Sequence, residues 1–188
     1  MLKAAFIDRD GVINELIYNI NTSSYESPHD VSDLKIIEGA FQGLRIIQAK
    51  GFELFIISNQ PSYAKGKVSL EKLQDIAKLV ETKLAQETIQ IREIFYCYHH
   101  PEGIVPELTK ICDCRKPGAF FLFNAQKNYN LNLAESWMIG DQDSDILCGK
   151  NAGCKTILIE NPYSSSKRVG LSSPDHRAKN LLTAALKL

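Results

Sequence analysis

The run F-E-L-F-I-I-S at 52–58 is apolar at nearly every position, so neither of its faces can be left to water. A strand of this kind demands cover on both sides. Four further β-rich runs, at 2–7, 93–99, 136–140 and 155–159, alternate with helical patterns at 39–50, 69–86, 118–129, 143–152 and 176–187. In the second helix Leu70, Leu73, Ala77, Val80 and Leu84 recur at helical spacing behind a Ser69 cap. Gly51 and Gly153 stand where helices end. This alternation predicts an α/β fold, a doubly wound, Rossmann-like parallel sheet covered by helices on both faces. The 188 residues fit one domain, 1–188. Two irregular stretches, 15–35 and 162–175, read as surface loops too short to form a second domain.

In such sheets ligands bind beyond the carboxyl ends of the strands, and three strand ends here carry similar chemistry. The first strand runs into Asp8-Arg9-Asp10-Gly11, the second into Ser58-Asn59-Gln60, and the fourth into Gly140-Asp141-Gln142-Asp143-Ser144-Asp145. If these strands are neighbours, Asp8, Asp10, Ser58, Asp141 and Asp145 converge. Clustered carboxylates repel one another unless a hard cation sits among them, and an all-oxygen set of this density suits Mg²⁺.

A second cluster uses softer donors. Cys97-Tyr98-His99 closes the third strand, and Cys112-Asp113-Cys114 follows a loop. Cys97 and His99, two apart on extended chain, face the same side. With Cys112 and Cys114 they make a Cys₃His set, typical of structural Zn²⁺. Cys148 and Cys154 lack such company and fall to the core. Five cysteines, three of them in these two motifs, suit a reducing compartment better than a disulfide framework.

Lys+Arg and Asp+Glu balance at 22 each, so no global field draws the chain to nucleic acid or an anionic membrane. That balance, with no aromatic–basic stripe, also speaks against a zinc-knuckle nucleic-acid module. No apolar run reaches the roughly 20 residues a membrane span needs. The amino terminus does not read as a signal peptide. The expectation is a soluble, cytoplasmic, monomeric protein whose anionic ligand is met by local cations.

D-R-D-G-V-I-N, Ser58 at a strand end, Lys116 and G-D-Q-D-S-D resemble, in the required order, the four motifs of the haloacid dehalogenase superfamily of phosphotransferases. The resemblance implies that Asp8 attacks phosphorus, that Asp10 is the acid and base, and that Ser58 and Lys116 hold the phosphoryl oxygens. Mg²⁺ would sit on Asp8, the backbone carbonyl of Asp10 and Asp141, with Asp145 behind. C-Y-H-H-P-E-G followed by C-D-C-R-K-P-G resembles the capless zinc-loop branch (subfamily IIIA), whose members act on heptose 1,7-bisphosphate or histidinol phosphate. The long stretch between Cys97 and Cys112 resembles the heptose side of that branch. It implies a phosphorylated-sugar substrate, with Asn59, Gln60, Lys65, Arg115 and Gln142 around it. Pro61, Lys65-Gly66 and Gln142 depart from the branch's usual small residue, Arg-Gly and basic residue.

Overall fold

Strand propensity and burial put a six-stranded sheet at the centre of the computed structural model, which describes residues 1–188. In chain order the elements are β1 (Lys3–Ile7), β2 (Ile17–Asn19), β3 (Ser24–Glu26), α1 (Ala40–Ala49), β4 (Phe52–Asn59), α2 (Leu70–Gln86) and β5 (Ile91–Cys97). They continue with α3 (Phe120–Tyr129), β6 (Trp137–Gly140), α4 (Asp143–Asn151), β7 (Lys155–Ile159), β8 (His176–Ala178) and α5 (Leu181–Ala185). The sheet order is β5-β4-β1-β6-β7-β8, and every pairing is parallel.

The period of two along each strand divides the core. Ala5, Ile7, Leu54, Ile56, Ile139 and Ile157 pack with Leu44 of α1, Ile76 and Val80 of α2, and Leu181 of α5. Their neighbours Ala4, Phe6, Phe55, Ile57 and Met138 pack on the opposite face with Leu122 of α3 and Cys148 of α4. β4 is therefore covered on both sides, as its composition requires. Cys154 lies in the second of these cores with Cys148.

Local signals hold at several ends. The Ser69 side chain accepts from Lys72 N at 3.3 Å to open α2. Gly51 follows α1 at φ +80°, a left-handed turn that glycine enters at little cost.

The expected helix 176–187 is corrected. His176–Ala178 instead joins the sheet beside β7, with Ile157 opposite His176. Asn180 then starts a shorter helix, its side chain accepting from Thr183 N at 2.9 Å while Thr183 Oγ1 accepts from Asn180 N at 3.1 Å. The stretch 15–35 is not all loop either, since β2 and β3 pair antiparallel, with Tyr18 opposite Tyr25. No helix is long and apolar enough to cross a membrane.

Candidate active site

Because β4, β1 and β6 are adjacent, their carboxyl ends deliver Ser58, Asp8, Asp10 and Asp141 to one place. Two glycines make room. A Cβ on Gly11, itself at φ +88°, would lie 2.2 Å from Asp141 Oδ2, and one on Gly140 would lie 2.2 Å from Asp145 Cβ. The close approach of backbone to carboxylate requires glycine at both positions.

Lys116 reaches into this cluster from the far side. Its Nζ stands 2.8 Å from Asp8 Oδ1 and 2.6 Å from Asp145 Oδ1, and donates to the Ile57 carbonyl at 2.8 Å. All three side chains are buried. Burial disfavours the Lys116 ammonium, but Asp145 and Asp8 outweigh it and hold its pKa above the usual lysine value. Burial pushes Asp8 up to about 6; Lys116 opposes the shift, and the Asp145 and Asp10 charges add to it. Asp8 Oδ1 also accepts from Arg9 N at 2.8 Å.

Asp141 is fully buried, and neither of its carboxylate oxygens has a hydrogen-bond partner. Burial, then the charges of Asp8 and Asp145, raise its pKa well above the carboxylate range. An orphaned carboxylate here is costly unless a cation answers it. Asp8, Asp141 and Asp145 offer oxygens within 4.8 Å of one another, a set that fits a hard divalent ion.

Asp10 is held differently. Arg9, buried beside it, donates from Nε and Nη2 to the two carboxylate oxygens, each at 3.0 Å. Asn14 Nδ2 adds a contact at 2.9 Å, and Gln60 Nε2 donates to both Asp10 Oδ2 and, at 2.9 Å, Ser58 Oγ. Gln60 thus couples two site residues from beneath. Asn59 spends its amide on the Lys116 backbone, and Gln142 N donates to Asp145 Oδ2 at 2.9 Å.

The four soft donors also meet. Cys114 Sγ lies 3.3 Å from Cys97 Sγ and 3.2 Å from Cys112 Sγ, and His99 Nδ1 lies 3.4 Å from Cys114 Sγ. All four fall within 4.8 Å of one another, and no disulfide forms. Sulfurs at about 2.3 Å from one tetrahedral Zn²⁺ would be nearly this close. β5 ends at Cys97, so His99 joins from the loop beyond the strand rather than from the strand itself.

The site opens into a cavity of about 610 Å³. Asp8, Asp10, Ser58 and Lys116 lie on its floor; Asn59, Lys65, Arg115 and Gln142 line it. Arg115 is half-buried, with one weak contact from Nη1 to the His99 carbonyl at 3.4 Å. Burial, then the nearby Lys67 and Arg115 charges, lower the Lys65 pKa, as expected of cations gathered without a ligand.

Sequence reasoning passed over Arg9, Asn14, Tyr25, Glu26, Lys67 and Lys167. For Arg9 a signal existed, since a cation between two aspartates at the mouth of an apolar run needs a buried partner. Glu26 and Lys67 meet only through the fold, 2.5 Å apart across 41 residues of chain.

Comparisons with known proteins agree with this geometry. The HAD-hydrolase-like family model matches residues 113–184. The D-glycero-alpha-D-manno-heptose-1,7-bisphosphate 7-phosphatase of Photorhabdus laumondii is 35% identical over 167 residues, covering 88% of this chain and 87% of the relative. The corresponding beta-anomer enzyme of Escherichia coli K12 is 31% identical over 157 residues, covering 82% and 78%. A solved D,D-heptose 1,7-bisphosphate phosphatase from B. bronchiseptica, complexed with magnesium and phosphate, superposes with a TM-score of 0.80 at 24% identity, over 99% of this chain and 97% of that one.

Proposed function

The chain belongs to the heptose-1,7-bisphosphate 7-phosphatase family of HAD-like hydrolases, and we propose that it removes one phosphate from D-glycero-D-manno-heptose 1,7-bisphosphate. The observation that carries the reading is the buried Asp8–Lys116 pair at an open cavity, with the orphaned Asp141 carboxylate within 4.8 Å of that of Asp8.

Asp8 is the nucleophile. Its Oδ1 is engaged by Arg9 N and Lys116, which leaves Oδ2 to form the bond to phosphorus as the sugar oxygen departs. Asp10 gives its proton to that leaving oxygen, then takes one from the water that hydrolyses the aspartyl-phosphate and releases inorganic phosphate. Arg9, Asn14 and Gln60 hold its carboxylate in place for both transfers. Ser58 and Lys116 bind the phosphoryl oxygens, where most transition-state stabilisation arises. Mg²⁺, held by Asp8, Asp141 and the Asp10 carbonyl, would offset the charge that gathers on those oxygens.

Cys97, His99, Cys112 and Cys114, gathered within 4.8 Å of one another, would hold a structural Zn²⁺, which would fix the segment carrying Arg115 and Lys116. Arg115 and Lys65, which line the same cavity as Asp8, receive the phosphate that stays on the sugar. Residues 1–188 act as one capless domain.

A phosphate-release screen over heptose 1,7-bisphosphate, heptose 7-phosphate and histidinol phosphate tests the reading. The bisphosphate should lead by roughly ten- to a hundredfold in kcat/KM, the value of one charge-assisted contact of about 1.5–3 kcal/mol. Equal rates on the two heptose substrates would defeat it, and histidinol phosphate in the lead would move the chain to the sister branch. Asp8→Asn should cut turnover by about a thousandfold or more with the fold intact.

A further inference from the structure

The stretch between β7 and β8 is a built part of the cavity. Asp143, buried at the start of α4, latches it: Oδ2 accepts from Val169 N at 2.8 Å and Leu171 N at 3.2 Å, and Oδ1 from Ser172 Oγ at 2.5 Å. Arg168 Nη1 ties the same stretch to the site, donating to the Asp141 carbonyl at 3.2 Å and the Asn161 carbonyl at 2.8 Å. Asn161 Nδ2 in turn donates to the Gly11 carbonyl at 2.9 Å. Tyr163 packs against Tyr25 of β3, ring centroids 4.4 Å apart and planes tilted by 30°, joining the strap to the β2–β3 hairpin.

Between these anchors the strap presents Lys167. It is exposed and lines the cavity, and the next residue, Arg168, bonds the Asp141 carbonyl. No carboxylate pairs with Lys167. Lys116, which also serves the phosphoryl oxygens, divides its charge between Asp8 and Asp145. Gln142, adjoining Asp141 in the chain, brings no charge.

Charge balance makes an unpaired cation there useful. Of five buried carboxylates here, Asp143 is taken up by the donors of the strap, and the other four, Asp8, Asp10, Asp141 and Asp145, face only two buried cations, Arg9 and Lys116. A divalent ion neutralises the remainder, and a phosphoryl dianion then restores the excess of negative charge. From this arrangement we infer that Lys167 binds the phosphoryl group seated over Asp8 and Asp141, and that Asp143 is a positioning residue that holds the strap so that Lys167 reaches it. The inference rests on the phosphatase reading for its ligand class, and it adds a residue to that site.

The test is calorimetric binding of inorganic phosphate to the zinc-containing, Mg²⁺-saturated protein, so turnover is not the readout. Lys167→Ala should weaken binding about tenfold, the low end for a charge-assisted contact from an exposed lysine. Lys167→Arg should restore most of the loss. Asp143→Ala should weaken binding to a similar extent and speed amide exchange across 161–172, yet add nothing in the Lys167→Ala background. Unchanged phosphate affinity in Lys167→Ala overturns the inference, as do fully additive losses in the double variant. Because inorganic phosphate carries no sugar, a wild type indifferent to a second phosphate counts against the substrate reading and leaves this comparison decisive.

Discussion

Asn59 grips both backbone polar groups of Lys116: its Nδ2 donates to the Lys116 carbonyl at 3.2 Å, and its Oδ1 accepts from Lys116 N at 3.1 Å. The residue after Ser58 at the end of β4 thereby fixes the backbone of a lysine 57 positions later.

Asn59→Ala removes both bonds and leaves the Lys116 peptide to find water. With each bond contributing about 1 kcal/mol, kcat/KM should fall roughly ten- to a hundredfold as the ammonium loses its aim. Asn59→Asp keeps the acceptor and loses the donor, so it should fall between wild type and Ala. Steady-state kinetics on the three proteins decides it, and a fully active Asn59→Ala would show that Lys116 is held by its salt bridges alone.

Zinc should be separable from catalysis. Metal analysis should find about one Zn per chain, as one Cys₃His set implies. Cys112→Ser should lower the melting temperature and slow turnover, since zinc-binding energy at such a site is folding energy. Added Mg²⁺ should restore neither. A zinc-free preparation of equal stability and activity would remove the metal from the account.

Magnesium should stabilise the protein most at neutral and higher pH. Asp8 titrates near 6 in the folded chain against an ordinary 3.8, so between those values the native state binds more protons than the unfolded one. The metal-free protein therefore loses stability as pH rises through that window, and Asp141 acts in the same direction. A divalent ion needs both carboxylates ionised, so the rise in melting temperature on adding Mg²⁺ should be larger at about pH 7.5 than at about pH 5. Thermal scans with Mg²⁺ or EDTA measure it; a pH-independent rise would contradict it.

Glu26 should contribute the opposite slope at lower pH. Burial raises its pKa, but hydrogen bonds from Lys67, Thr22 and Asn19 outweigh that and leave it at about 2, below the usual 4.5. Its stabilisation is whole above 4.5 and is lost as pH falls toward 2. Its side chain is only 12% exposed, but its partner Lys67 is 30% exposed, so solvent screens the pair in part and the effect is modest. Glu26→Gln should lower the neutral plateau and flatten the acid limb in that window, so that the variant and the wild type converge as pH falls toward 2; urea titrations across pH would show it.

The sheet was legible because strands buried on both faces carry little but apolar residues, and β4 could hardly have been anything else. The aspartates were legible through their positions at strand ends, and the cysteine–histidine set through its two short spacings. The final helix was misjudged because His176–Ala178 has no pattern of its own: an open edge of β7 recruits it. Arg9 could have been found from charge alone. Lys167 could not, because its place depends on Asp143 holding a loop that looks unstructured in the chain.

One residue separates Cys114 from Lys116, and at about 3.8 Å per step the chain has no slack between sulfur and ammonium. The loop can therefore absorb added length only outside the step from Cys114 to Lys116. An extra residue between exposed Lys110 and Ile111 would bulge into solvent, whereas the same residue between Cys114 and Lys116 would carry the ammonium out of register with Asp8. Solvent absorbs added chain on the outer side, and the inner side has a single workable length.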